Sequence, residues 1–181
     1  MDKDHPFFKA VEFATWAHHN QRRKSSNNPY IIHPLRVAYL AIDAGLSDYA
    51  VMAAVLHDVV EDCDIDISEI YSRFPYRVGQ IVSRLTKWWT DSATKEEKAT
   101  NKAEYYASIL EDQDAINVKV LDRIDNLRDM FLLLPQETRW AKKYLKKTEE
   151  EVDALYDKCD NDAIRELYRV TVKEFKAKLS T

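Results

Sequence analysis

Three features of the sequence predict an all-α fold. Apolar residues recur at helical spacing along nearly the whole chain. Only two glycines and five prolines occur in 181 residues, too few for the tight turns of a many-stranded sheet. Hydrophobic residues make up 45% of the chain, an ordinary share for a globular protein. The length suits a single domain over residues 1–181 that buries a core without disulfide or metal staples.

The elements follow in order. Pro6 suits a helix first turn, and Phe7, Phe8, Val11, Ala14 and Trp16 continue the period, so a helix is expected over residues 6–21. Residues 22–32, with RRKSSNN and Pro29, break the period and predict a basic loop. The next helix opens at Pro34 and ends at Gly45. Ser47 or Asp48 caps a third, whose AVMAAVLHDVVED is apolar almost all round, as in a central helix buried on several sides. Ser68 starts a short helix to Phe74, and Pro75 seeds another through Leu85. Residues 88–100 gather charge and predict an exposed connection. A helix over about 101–112 is followed by one capped by Asp114 that carries AINVKVLDRIDNLRDMFLL and stops at Pro135. Residues 137–179 read as two amphipathic helices divided near KCDND.

Composition excludes several functions. A formal net charge of −4 gives no global attraction to nucleic acid. Cys63 and Cys159 show no framework spacing and read as reduced thiols, which points to the cytoplasm. The start mixes charges into its apolar residues, unlike a signal peptide, and no apolar run is long enough to span a bilayer. A small-molecule partner is expected, with no nucleic acid and no membrane.

The chemistry concentrates in HDVVED. His57 and Asp58 lie side by side in the most apolar helix, where burial is costly without compensation. A divalent cation would compensate both, since imidazole and carboxylate suit Mn, Fe or Zn. A core histidine satisfied by its neighbouring aspartate is the plainer alternative. Helical spacing sets Glu61 above His57 and Asp62 above Asp58, adding two carboxylates to the same face. There they suit proton handling for a water activated by the metal. His33, closing the basic loop, and Asp122, interrupting VKVLDRIDNL, are the best placed further ligands from other helices.

Together QRRKSSNNPYIIHPLRVA, LHDVVEDC and VKVLDRIDNLRDM resemble, in order and spacing, the HD hydrolase domain of the Rel/Spo stringent-response enzymes. The length and the lack of a synthetase domain are most similar to the small stand-alone alarmone hydrolases. The resemblance spans about residues 7–131 and fades after Pro135. It implies one Mn(II) held by His33, His57, Asp58 and Asp122, with Glu61 and Asp62 catalytic. It also implies that Arg23, Lys24 and Ser25 pack against guanine and its sugar, with Asn126 near the ribose. The implied reaction removes the 3′-diphosphate of ppGpp or pppGpp as pyrophosphate, leaving GDP or GTP. The chain departs from the family at Ser26, Asn27 and Asn28, where a glycine is common, and at Pro75, where a glycine after phenylalanine is usual.

Other residues read more plainly. His18 is expected to be a structural hydrogen-bonding residue and His5 a solvent-exposed one. Lys95, Lys98 and Lys102 stand among Glu96 and Glu97 in what reads as a solvated loop, although they are also candidates for phosphate contacts. Trp88 and Trp89 suit a core edge or an oligomer contact. Cys63 lacks a basic neighbour to activate it, so no covalent role is expected. Two alternative functions remain: an HD-fold phosphohydrolase of another nucleotide, and a catalytically silent nucleotide-binding module.

Overall fold

A computed structural model describes residues 5–89, 92–131 and 138–180. Among these the chain forms ten α-helices and, apart from one isolated bridge between Arg22 and Pro29, no β-structure. In chain order they are α1 Pro6–Ala17, α2 Ile32–Asp43, α3 Asp48–Leu56, α4 Val59–Asp62, α5 Ile67–Arg73, α6 Tyr76–Leu85, α7 Lys95–Leu110, α8 Gln113–Met130, α9 Thr138–Lys158 and α10 Asp162–Leu179. No described helix is long and apolar enough to cross a membrane.

Two helices form the centre. Every residue of α3 from Ala50 to Leu56 is buried, which its unbroken apolar sequence requires. It packs against α1, α2, α6 and α8. In α8 the run Ala115–Asp125 is buried without interruption although it contains Asn117, Lys119, Asp122, Arg123 and Asp125. So many polar groups in a buried helix must find partners or a ligand. A smaller cluster of Leu127, Met130, Ala141, Leu145 and Phe175 ties α9 and α10 to the end of α8.

The chain turns mostly where local chemistry directs it. Ser47 caps α3 by accepting the Ala50 N–H, Asp66 caps α5 and Asn161 caps α10. Gly45 adopts φ +70° after α2, and the Leu46 N–H returns to the Ala41 carbonyl, the glycine-terminated helix end expected there.

Five boundaries differ from expectation. α1 ends at Ala17 because residues 18–21 fold into turns on Ala14, Trp16 and His18. α2 begins at Ile32, so His33 and Pro34 both lie in its first turn, where proline's missing N–H costs nothing. The helix expected through HDVVED breaks between Leu56 and Val59. There His57 Nδ1 bonds the Ala54 carbonyl at 2.7 Å, the acceptor that the Asp58 N–H would take in a continuous helix. α7 begins at Lys95, inside the predicted connection. Thr94 and Glu97 form a reciprocal capping box there, an S/T-x-x-E signal overlooked in a charged segment. Asp112, not Asp114, caps α8. Pro135 lies outside the described residues.

Candidate metal centre and adjoining cavities

The first turn of α2, the α3–α4 break and the middle of α8 bring four donor atoms together. Asp58 Oδ2 lies 3.2 Å from His57 Nε2 and 3.6 Å from His33 Nε2. Asp122 Oδ1 lies 3.2 Å from His33 Nε2 and 3.8 Å from His57 Nε2. The imidazole rings meet edge to face at 5.2 Å, and both residues are almost wholly buried.

The far nitrogen of each ring is already committed. His33 Nδ1 pairs with Asp125 Oδ2 at 2.7 Å, and His57 Nδ1 bonds the Ala54 carbonyl. Such partners orient a metal-ligating histidine and leave its Nε2 facing the ion. His57 Nε2 is buried with no aligned hydrogen bond, the orphan expected where a ligand atom belongs. Two imidazoles and two carboxylates suit a borderline divalent cation, so the residues present fit a metal.

Electrostatics point the same way. Burial opposes charge on His57, but Asp58 and Asp122 outweigh it and raise its pKa well above the ordinary value. Burial likewise opposes charge on Asp122, yet Lys119 and the two imidazoles hold its pKa well below the usual carboxylate range. The two carboxylates thus favour positive charge between them, which a divalent ion would supply. Lys119 Nζ holds Asp122 Oδ2 at 2.8 Å and Asn126 Nδ2 reaches Asp122 Oδ1 at 2.5 Å, fixing the orientation of that carboxylate.

Glu61 and Asp62 take different partners. Lys87 Nζ meets Glu61 Oε1 at 2.5 Å, and the Lys87 backbone N–H also points to Glu61. The Tyr30 hydroxyl lies 2.7 Å from Asp58 Oδ2 and 2.8 Å from Asp62 Oδ2, bridging a candidate ligand to a candidate catalytic group. Burial and then the charge of Asp58 raise the Asp62 pKa. His18 stacks on Tyr30 at 4.7 Å and hydrogen-bonds Gln21, a supporting role as expected. Cys63 is not activated, since burial and Asp62 push its thiol up to about 11.

The basic loop is built around Asp129. Arg23 Nε at 2.8 Å, Ser25 Oγ at 2.6 Å and Arg36 at 2.7 Å all donate to its buried carboxylate. Burial alone would raise its pKa, but these three bonds bring it to about 2. The second guanidinium nitrogen of Arg23 donates to Asn126 Oδ1 at 2.8 Å, so Asn126 links the loop to Asp122. Asn27 takes φ +56°, a left-handed conformation that asparagine tolerates better than most non-glycine residues. It does the work of a turn glycine. Removing the Asp129 carboxylate strands the buried charge of Arg23, so Asp129→Ala is expected to destabilise the protein. Breaking a buried pair costs about 3–5 kcal/mol, and the partial exposure of Arg36 places the loss near the lower end. Thermal denaturation checks it, with Asp129→Asn retaining part of the loss as hydrogen bonds survive.

Two cavities meet here. One of about 580 Å³ is lined by His33, Asp58 and Asp122 of the four donors, with Lys87, Lys98, Lys102, Lys119, Arg123 and Lys147 among its walls. The other, about 480 Å³, is bounded by Arg22–Ser25, Asp129, Met130 and Trp140. They share Tyr30, Asp62, Asn126 and Tyr144. Thus Lys98 and Lys102, read as solvated, line the metal-side cavity, whereas Trp88 borders a separate pocket beside α7. Sequence reasoning missed Tyr30, Lys119, Asp125, Asp129 and Trp140. Lys119 carried the signal that exposed Asp122, a charge within an apolar run. The others join the site through contacts between distant parts of the chain.

Comparison with known proteins identifies the chain's relatives. The family described as HD domain matches residues 10–157. A guanosine-3′,5′-bis(diphosphate) 3′-pyrophosphohydrolase of Aquifex aeolicus is 37% identical over 142 residues, covering 78% of this chain and 20% of that protein. The guanosine-3′,5′-bis(diphosphate) 3′-pyrophosphohydrolase MESH1 of Drosophila melanogaster is 33% identical over 149 residues, covering 76% of this chain and 81% of that one. The chain therefore spans about a fifth of the length of the Aquifex relative but most of the Drosophila one. A solved structure reported as "A metazoan ortholog of SpoT hydrolyzes ppGpp and plays a role in starvation responses" superposes with a TM-score of 0.79 at 25% identity, covering 96% of this chain and 97% of that one.

Proposed function

The chain belongs to the HD-domain family, among the relatives of the guanosine-3′,5′-bis(diphosphate) 3′-pyrophosphohydrolases, and we propose that it removes the 3′-diphosphate of ppGpp and pppGpp using one bound Mn(II). The observation that carries this reading is the junction of two unlike cavities. One has donor atoms at its floor and lysines in its walls, which suits phosphates; the other has an arginine loop and an aromatic wall, which suits a nucleoside. The share of the Drosophila MESH1 sequence that this chain covers supports the same substrate.

His33, His57, Asp58 and Asp122 would hold the metal. What a divalent ion supplies at such a site is Lewis acidity that polarises phosphoryl oxygens and makes water nucleophilic near neutral pH. The rest falls to the chain. Arg23, Lys24, Ser25 and Asn126 hold the guanosine end, and Lys87, Lys119 and Arg123 offset the phosphate charge. Water adds at the phosphorus bonded to the 3′-oxygen, that P–O bond breaks, and pyrophosphate separates from a 3′-hydroxyl. The Glu61–Asp62 pair takes one proton from the attacking water and a proton passes to the departing 3′-oxygen, while Tyr30 keeps Asp62 beside Asp58. The mixed N/O donor set suits manganese as well as zinc or iron.

A nucleotide panel tests the proposal. The chelated protein is reloaded with Mg(II), Mn(II) or Zn(II) and offered ppGpp, pppGpp, GTP and ATP. Consumption of ppGpp and pppGpp, fastest with Mn(II), is expected. Inert ppGpp beside rapid turnover of another nucleotide would overturn the substrate assignment.

A further inference from the structure

We propose that Trp140 supplies a stacking surface for the substrate's nucleobase, complementing the exposed face of Arg23 in the same cavity. The proposal deepens the nucleotide reading above by naming the residue that grips the base.

Arg23 alone is a limited platform. Asp129 and Asn126 engage its nitrogens, and the Tyr30 ring lies 5.4 Å from the guanidinium carbon. Its side chain is only 12% exposed. It is held rigidly and has one remaining face to offer the cavity that it lines. The ring faces of a base are better shielded from water by a second plane.

Trp140 meets that need from another element. It lies in the first turn of α9, lines the cavity bounded by the Arg22–Ser25 loop, and is 45% exposed. Its indole rests against the Tyr144 ring at 5.8 Å, and the Tyr144 hydroxyl accepts a hydrogen bond from Arg123 at 3.1 Å. Tyr144 borders both cavities, so Trp140 adjoins a residue of the junction through which a nucleotide would run. The other two exposed tryptophans open elsewhere: Trp16 borders a pocket on α1 and α5, and Trp88 borders the one beside α7. Bases stack on aromatic rings whatever their identity. Trp140 therefore supplies grip, and the choice of guanine rests on polar groups around it.

The test uses the full chain, its Trp140→Phe and Trp140→Ala variants, and GDP as a ligand that is not consumed. GDP should quench part of the tryptophan emission of the wild type, and Trp140→Phe should remove most of that quench. In ppGpp hydrolysis Trp140→Ala should raise KM on the order of ten-fold with kcat nearly unchanged. Phenylalanine should restore most of the affinity, which a merely structural role at the helix start would not require. Absence of quenching in the wild type, undiminished quenching in Trp140→Phe, or an unchanged KM in Trp140→Ala would overturn the proposal. If the wild type leaves ppGpp intact, the reaction assignment fails, whereas the GDP titration still decides whether Trp140 binds a base.

Discussion

Glu61→Gln is expected to lower turnover by roughly 10²–10⁴-fold, the usual worth of a positioned proton acceptor. Metal content should be unchanged, because Glu61 faces Lys87 rather than the four converging donors. Glutamine keeps the shape of the side chain and its contact with the lysine, but cannot take a proton from water. Substrate affinity should therefore survive. The expected signature is a fall in kcat with little movement of KM. An unchanged kcat would remove Glu61 from the chemistry. Loss of metal would instead move it into the ligand set and require the Lys87 contact to break on loading.

The second large effect is expected at the metal itself. His57→Ala should abolish stoichiometric metal and reduce turnover to background, since its orphaned Nε2 is one of the four donors. Stability gives a readout independent of catalysis. A ligand that binds only the folded state stabilises it by about 2.7 kcal/mol at a hundred times its Kd. Adding Mn(II) to chelated wild-type protein should thus raise Tm, and the shift should vanish in His57→Ala. Asp122→Asn serves as a second variant if the alanine fails to fold, and it should weaken the same shift. A full Mn(II)-induced shift in both variants would place the ion elsewhere.

Much of this molecule was legible in its sequence, for physical reasons that can be named. HDVVED stood out because ionisable groups rarely interrupt so apolar a helix without a partner. Asp122 stood out in the same way, and the blocks carrying His33 and Arg23 occur in a recognisable order. The structure brings Asp58 and Asp122 each within 3.2 to 3.8 Å of the Nε2 atoms of His33 and His57. Helical spacing also suggested that Asp62 lies near Asp58, and the shared Tyr30 hydroxyl has that consequence. Spacing did not reveal the break at His57, because it arises from the imidazole competing for a backbone carbonyl.

What escaped notice depends on long-range contacts. Tyr30 looks like an ordinary loop residue until Asp58 and Asp62 arrive from positions 28 and 32 residues away. Asp125 and Asp129 look like the polar side of an amphipathic helix. Only when α2 packs on α8 does His33 meet Asp125, and only the folded loop brings Arg23 and Ser25 to Asp129. Lys119 and the capping box of α7 are different cases, since both had readable local signals. One was lost beside a louder neighbour, the other within a run of charge.

Cleavage at the 3′ side is read most directly from the phosphorus products of ppGpp incubated with Mn(II)-loaded protein, by phosphorus NMR with chromatography of the nucleotide. One pyrophosphate and one GDP are expected per ppGpp consumed, with no reaction after chelation. Release of orthophosphate, cleavage at the 5′ side, or undiminished turnover in the chelated protein would contradict the proposed reaction.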